Sequence, residues 1–381
     1  MHVTDELLHD LIDKRRYLHE HPELAFKEVN TTKKLKDWLS ENDIAVLPYD
    51  LDTGVIAEIK GEKEGPTIAI RADIDALPIK EEAAVPFPSK NNGVMHACGH
   101  DFHTVSVLGA AILLNKHRDR LYGTVRIIFQ PAEEIAQGAK SLVDKGVLEG
   151  VKAIFGMHNK PDLPVGTIGV KSEGLMASVD KFDITFNGIG GHAGIPHHTI
   201  DPIVMASHYV TSVQSIVARR LDLFHNAVVS ITSINGGNTW NVIPDKVVLQ
   251  GTVRTFQPEA RDAIPRMMKQ LAISIAEGYG GTVEFKWDAY LPVVNNDRAY
   301  EEVIQNTVKG LEYELVDAEP SAAGEDFAFY QTYIPGYFVW MGVDGPNEWH
   351  HPEYDLNEDA IKVAVAFFAT LAVNALEQEA E

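Results

Sequence analysis

Short β-branched runs alternate with helix-length segments along the chain, and the runs stop beside residues that can hold a metal ion. Residues 54–59, 67–72 and 124–129 read as strands. Helical spacing is expected over residues 7–18, which Pro22 should end or redirect, over residues 31–42, and in the segment after Cys98. Such alternation commits a chain to an α/β sheet covered on both faces. Active groups of these sheets collect at strand ends. Asp73 and Asp75 follow one strand, Glu133 and Glu134 follow the next, and His158 follows residues 151–156. A single carboxylate after a strand is ordinary loop solvation, but recurrence at successive strand ends points to a site.

The pattern changes from residue 177 to residue 289. Strands are expected at 181–187, 227–234, 247–256 and 282–287, with helices over 201–219 and 259–279. The order βαββαβ is that of a ferredoxin-like α+β sandwich. Both ends join the α/β part, so residues 177–289 are expected to form an inserted domain within a discontinuous one made of 1–176 and 290–381.

Composition narrows the partners. The chain has 381 residues, too many for one core, with 45% hydrophobic content suited to globular packing. A net charge of −22 disfavours nucleic acid and anionic membranes. The first residues are acidic rather than signal-like, and no apolar run is read as reaching the ~20 residues of a membrane span, so a cytoplasmic location is expected.

The one cysteine, Cys98, lies in Met95-His96-Ala97-Cys98-Gly99-His100-Asp101-Phe102-His103. It cannot close an intrachain disulfide, which leaves a reduced buried thiol, a metal ligand or a nucleophile. Thiolate, imidazole and carboxylate together are what borderline transition metals prefer. Cys98 and His100 would share a side in extended backbone and diverge in a helix, which places them on a loop, with Asp101 as N-cap of the following helix. The adjacent Glu133 and Glu134 point in different directions, so one can hold a metal while the other faces an attacking water. By itself a Glu-Glu pair is more often a solvated turn.

These motifs, with Arg71-Ala72-Asp73-Ile74-Asp75-Ala76-Leu77-Pro78, Gly190-Gly191-His192-Ala193, Gly251-Thr252-Val253-Arg254-Thr255, Gly324-Glu325-Asp326-Phe327 and His350-His351-Pro352, run the length of the chain. Together they resemble the M20 metallopeptidases, in particular the aminoacylase-like amidohydrolases of the hippurate hydrolase, N-acetyldiaminopimelate deacetylase and auxin-conjugate hydrolase type. The resemblance implies a mixed-sheet metallo-hydrolase domain with an inserted lid and dimerisation domain. It also implies two divalent ions, manganese, zinc, cobalt or nickel, held by Cys98, His100, Glu134, His158 and His350, with Glu133 as general base. Asp73 stands where related chains carry a histidine ligand, so His100 supplies the missing imidazole and Cys98 takes the place of a bridging aspartate, while Asp75 orients a ligand from behind. His350 fits the family's His-x-Pro spacing, with His351 as the substitute. His192 becomes the oxyanion donor, in the family often across a subunit boundary, and Asn241 and Arg254 grip the substrate carboxylate or carbonyl. His103, one turn beyond the ligands, is read as facing the substrate, with a satisfied structural histidine as the alternative.

The implied reaction is hydrolysis of an N-acyl, foremost N-acetyl, amino acid by a homodimer or higher oligomer. Three rivals stand beside it: a dipeptidase or aminopeptidase on the same fold, an amidase using Cys98 as nucleophile with His100 or His96 as base, and a non-catalytic metal-binding module.

Overall fold

The computed structural model describes residues 1–380. The chain divides into two compact units. The first comprises Met1–Glu173, Asn295–Glu319 and Asp326–Glu381, and the second Gly174–Val294 with Pro320–Glu325. The last short segment groups with the second unit, whereas the sequence reading places it with residues 290–381.

In the first unit, a mixed sheet runs in the order Ala45–Val46, Val55–Lys60, Tyr122–Gln130, Lys63–Asp73, Val151–Lys160, Gly336–Gly342, Thr167–Val170 and Glu314–Asp317. Four neighbours at its centre, from Tyr122–Gln130 to Gly336–Gly342, are parallel. Their side chains are almost all buried, as expected of strands covered on both faces. The carboxyl ends of these strands line up: Asp73 pairs with Gln130, and His158 with Trp340. His158 thus lies inside its strand, which continues to Lys160, rather than on a loop after it.

Helix His100–Lys116 is buried from His100 to Leu114, packed with helices Asp5–Glu20 and Ala360–Ala380 and with the strand Lys63–Asp73. Gly109 permits that crossing, because a Cβ there would lie 2.5 Å from Leu11 Cδ1 and 2.6 Å from Val365 Cγ2. Ala360–Ala380 is long and apolar enough to cross a membrane, which corrects the sequence reading that no such run exists. Since 72% of its most apolar window is buried, its composition is that of a core helix.

The N-cap expectation is also corrected. Gly99, in left-handed backbone at φ 78°, caps the helix, and Asp101 sits in its first turn. There its Oδ2 meets Arg15 Nε and His19 Nδ1, both at 2.8 Å. Those cations outweigh burial and hold the Asp101 carboxyl well below the usual carboxylate range.

The second unit carries Val179–Asn187, Ala227–Asn235, Lys246–Thr255 and Thr282–Leu291 in one antiparallel sheet. Ala227–Asn235 lies at one edge and Thr282–Leu291 at the other, with Lys246–Thr255 and Val179–Asn187 between them. Helices Pro202–Ser212, Gln214–Arg219 and Pro258–Gly278 complete the βαββαβ succession. The first helix is broken at Val213, where a single one is expected over residues 201–219. Alternate residues of Lys246–Thr255 are buried, as on a strand with one face on a core.

Candidate metal centre and active site

The central strand ends of the first unit bring five of the expected ligands into overlapping groups. Donor atoms of Cys98, His100 and His158 lie within 4.8 Å of one another, and so do those of Cys98, Glu134 and His350. Cys98 belongs to both groups, and its Sγ is 3.4 Å from His158 Nε2. A third group joins His100 to Glu133 and Glu134.

Hydrogen bonding leaves the right atoms facing inward. His158 Nδ1 donates to the Asn159 carbonyl at 2.9 Å, which puts the Nε2 lone pair toward Cys98. His100 Nδ1 is 3.3 Å from Asp75 Oδ1. His100 Nε2 and Glu134 Oε1, both buried, have no hydrogen-bond partner among the described residues. Orphaned polar atoms aimed into a group of ligand-type side chains are what a cation would satisfy.

Charge leads to the same conclusion. Burial opposes a proton on His100, but Asp73, Asp75 and Glu134 outweigh it and push the imidazole up to about 10. Burial, partly offset by His100, raises Glu134 to about 7. The site therefore recruits positive charge, and a divalent ion would take the place of those protons. Burial and nearby imidazoles lower His158 and His350, leaving them neutral as ligands must be.

His350 is held at φ 65°, strained for a non-glycine residue, by its N–H bond to the Ala97 carbonyl at 2.8 Å. Its Nε2 is 3.5 Å from Glu134 Oε2. His351 is exposed and its Nδ1 accepts the Glu353 N–H at 3.1 Å, so of the pair it is His350 that meets the other donors.

The turn carrying the two glutamates is clamped by carboxylates. Asp75 Oδ1 accepts the Glu133 N–H and Oδ2 the Glu134 N–H, each at 3.1 Å. Glu28 Oε1 accepts the N–H of Ala132, another left-handed residue at φ 55°, at 2.9 Å. Asp75 Oδ1 meets His100 Nδ1 and a backbone N–H and Oδ2 a second backbone N–H, so it positions groups rather than reacting.

The expectation for His103 is corrected. Its Nε2 accepts the Asn159 N–H at 2.9 Å, so its proton is on Nδ1, which donates to Asp73 Oδ1 at 2.6 Å. Buried with both nitrogens engaged, it holds Asp73 and Asn159 and presents nothing to a substrate. Asp73 is further held by Arg71 Nη1 at 2.8 Å, and Arg71 Nη2 reaches Asp326 Oδ1 at 2.8 Å.

The remaining three residues lie on the second unit. His192 sits on the short strand Gly191–His192 paired with Val242–Ile243, and the Ala193 N–H bonds the Asn241 carbonyl at 3.1 Å. Exposed His192 accepts the Gly194 N–H on Nδ1 at 2.9 Å, so the neutral ring carries its proton on Nε2. Arg254 bonds Thr252 Oγ1 and the Val253 carbonyl, while nearby Asp180 is paired with Arg261 at 2.8 Å. The hydrogen bonds of Arg254 thus go to hydroxyl and carbonyl oxygens, and the acidic neighbour is held by Arg261.

With this geometry in view, comparison with known proteins is decisive. A model of peptidase family M20/M25/M40 matches residues 69–374.

The chain belongs to this family.

Among its members, N-acetylcysteine deacetylase of Bacillus subtilis (strain 168) is 58% identical over 377 residues, spanning 98% of this chain and 99% of that protein. Thermostable carboxypeptidase 1 of Saccharolobus solfataricus is 38% identical and spans 95% of this chain and 94% of its own length. The crystal structure of a dinuclear metal-binding M20 peptidase from Bacillus subtilis superposes with a TM-score of 0.90 at 55% identity, covering 98% of this chain and all of that one. The chain is thus a mixed α/β hydrolase acting on amide bonds, of the aminoacylase-like branch.

Glu28 and Asn159 hold segments of the site without having been singled out for it. Adjacency to His158 was the signal that Asn159 offered; Glu28 offered none.

Proposed function

We propose that this M20 chain removes the acyl group, acetyl foremost, from N-acyl amino acids, using two divalent ions held by Cys98, His100, Glu134, His158 and His350. The observation that carries this reading is the sharing of Cys98 between two donor groups with Glu133 beside them. One thiolate, three imidazoles and a carboxylate suit zinc, manganese, cobalt or nickel rather than an all-oxygen ion such as magnesium. When bound, such ions polarise the amide carbonyl and acidify the attacking water.

Glu133 takes one proton from that water as its oxygen joins the acyl carbon, and passes it to the amide nitrogen as the C–N bond breaks. The products are a carboxylate and a free amino acid, and the proton transfer is required because an amide nitrogen leaves poorly unprotonated. His192 donates from Nε2 to the oxyanion, a role its hydrogen bond from Gly194 supports by placing the proton there. Arg254 and Asn241 bind the substrate carboxylate, which the lack of an acidic side chain among the hydrogen bonds of Arg254 supports.

A homodimer through the second unit is supported by Leu223, Phe224 and Trp240, which are 90%, 82% and 92% exposed. A cytoplasmic location suits a thiolate that must stay reduced.

The dipeptidase reading is favoured by the carboxypeptidase relative. A panel pairing N-acetyl amino acids with matched dipeptides, run beside metal analysis, separates the two. Faster turnover of the acetyl substrates is expected, abolished by chelation and restored by metal; faster dipeptide turnover, or activity that survives chelation, would sink the proposal.

A further inference from the structure

Three of the segments that carry the proposed ligands, those of Cys98, His158 and His350, converge on one buried side chain that takes no part in the reaction. Asn159, next to His158, is fully buried. Its Nδ2 donates to the Cys98 carbonyl at 2.6 Å and meets His103 Nε2 at 3.0 Å. Its Oδ1 accepts from Tyr354 Oη at 2.7 Å and from Trp349 Nε1 at 3.0 Å. Both donor hydrogens and both acceptor sites of the amide are therefore used. Its orientation is dictated as well: the Cys98 carbonyl can only accept and the Trp349 indole can only donate, so a flipped amide would face like against like on two sides. Its main chain adds two more ties, the N–H to His103 Nε2 and the carbonyl that receives the His158 Nδ1 proton.

Three of these bonds reach a ligand or its chain neighbour: those to the Cys98 carbonyl, from His158 Nδ1 and from Trp349. Cys98 lies before helix His100–Lys116, His158 lies within the central strand Val151–Lys160, and Trp349 immediately precedes His350. Cys98 lies 60 residues before His158, and Trp349 lies 190 residues after Asn159, so the three segments belong to different elements. Gly99, between Cys98 and His100, accommodates the arrangement: a Cβ there would lie 2.5 Å from Asn159 Nδ2 and 2.6 Å from Tyr354 Oη.

We infer that Asn159 is a positioning residue that sets the spacing of the Cys98, His158 and His350 segments for binding two ions. The inference rests on the proposed ligand assignment and adds to it the group that makes the assignment geometrically possible. An Asn159→Asp substitution keeps the shape and the Oδ1 acceptor but places an oxygen against the Cys98 carbonyl. Tyr354→Phe removes a single donor to Oδ1, and Gly99→Ala crowds the amide from the other side.

The test is titration of the metal-free protein with cobalt(II), following stoichiometry and the near-ultraviolet thiolate-to-cobalt absorption, with thermal melts of the metal-free forms alongside. The parent should take up two equivalents. Asn159→Asp should bind the second equivalent about 10- to 100-fold more weakly, with the thiolate absorption shifted or lost. Its kcat should fall at saturating cobalt with KM within about twofold, the scale that separates a change at the reacting centre from one in substrate binding. Tyr354→Phe should fall between the two. A merely structural role would lower the metal-free melting temperature and leave the absorption of the folded protein unchanged.

Parent-like affinity and absorption in folded Asn159→Asp and Gly99→Ala would overturn the inference. If either fails to fold, unchanged binding by Tyr354→Phe does the same. A parent that takes up no cobalt overturns the ligand assignment itself, which is a different result from variants that bind as the parent does.

Discussion

Asp75 holds Glu133 through the backbone: its carboxylate accepts the Glu133 N–H at 3.1 Å while its second oxygen accepts that of Glu134 at the same distance. One strand end thereby sets where the glutamates of the neighbouring strand point. Replacing Asp75 by alanine should release the turn, lowering kcat about 10- to 100-fold and weakening metal retention. Kinetics and metal content of the purified variant would check this; full activity would show that the turn holds itself.

Glu133→Gln should retain both ions and lose turnover by about 10²- to 10⁴-fold, because the amide cannot take a proton from water. Metal analysis beside steady-state rates distinguishes this from loss of the centre. An active glutamine variant would remove Glu133 from the reaction.

Cys98→Ser should lose metal before it loses fold, since a serine hydroxyl is a poor ligand for a borderline ion. Alkylating agents should act slowly on the metal-loaded protein, where the thiol is buried, and faster after chelation. Activity that persists without metal yet disappears on alkylation would restore the nucleophile reading.

Arg254→Ala should raise KM for N-acetyl amino acids by about 10- to 100-fold, the size of a charge-assisted hydrogen bond. Substrates whose carboxylate is capped as an amide should be far less affected. Equal losses on both would mean that Arg254 supports its strand rather than the ligand.

The metal-free protein should become less stable as pH rises. Burial pushes Glu28 to about 7 and Glu134 to about 7, above the carboxylate value of the unfolded chain, and the surrounding carboxylates hold His100 near 10. In each case the folded state binds the extra proton, so stability is fully present below the unfolded value and is lost as pH climbs through the folded one. Melts in chelator should therefore fall from about pH 7 to pH 9, above the range in which His96, His158 and His350, all lowered by burial, offset the loss, while stabilisation by added metal grows over the same range. A metal-free melting temperature that rises across this window would contradict the assignment.

Much of the site was legible because its chemistry is local in sequence. Cys98 and His100 lie two residues apart at the start of a helix, and the adjacent Glu133 and Glu134 follow a strand of clear β-branched character. His103 misled for the same reason. Helical spacing puts it one turn beyond His100, but only the fold reveals that the Asn159 N–H and Asp73 occupy both its nitrogens. The apolar helix Ala360–Ala380 was likewise ambiguous, since composition cannot separate a membrane span from a core helix until its neighbours are known.

Residue order by itself determined the strand and helix succession, the βαββαβ module and the candidate donors, because periodicity and ligand chemistry are properties of short segments. Tertiary structure decided which donors meet. Parallel pairing brings Asp73, Gln130 and His158 together at the carboxyl ends of the central strands, Asp75 clamps the glutamate turn, and Asn159 ties the loops of Cys98 and His350 to the strand of His158. Those contacts join residues far apart in sequence, where their geometry depends on burial and satisfied hydrogen bonds that only the folded chain supplies.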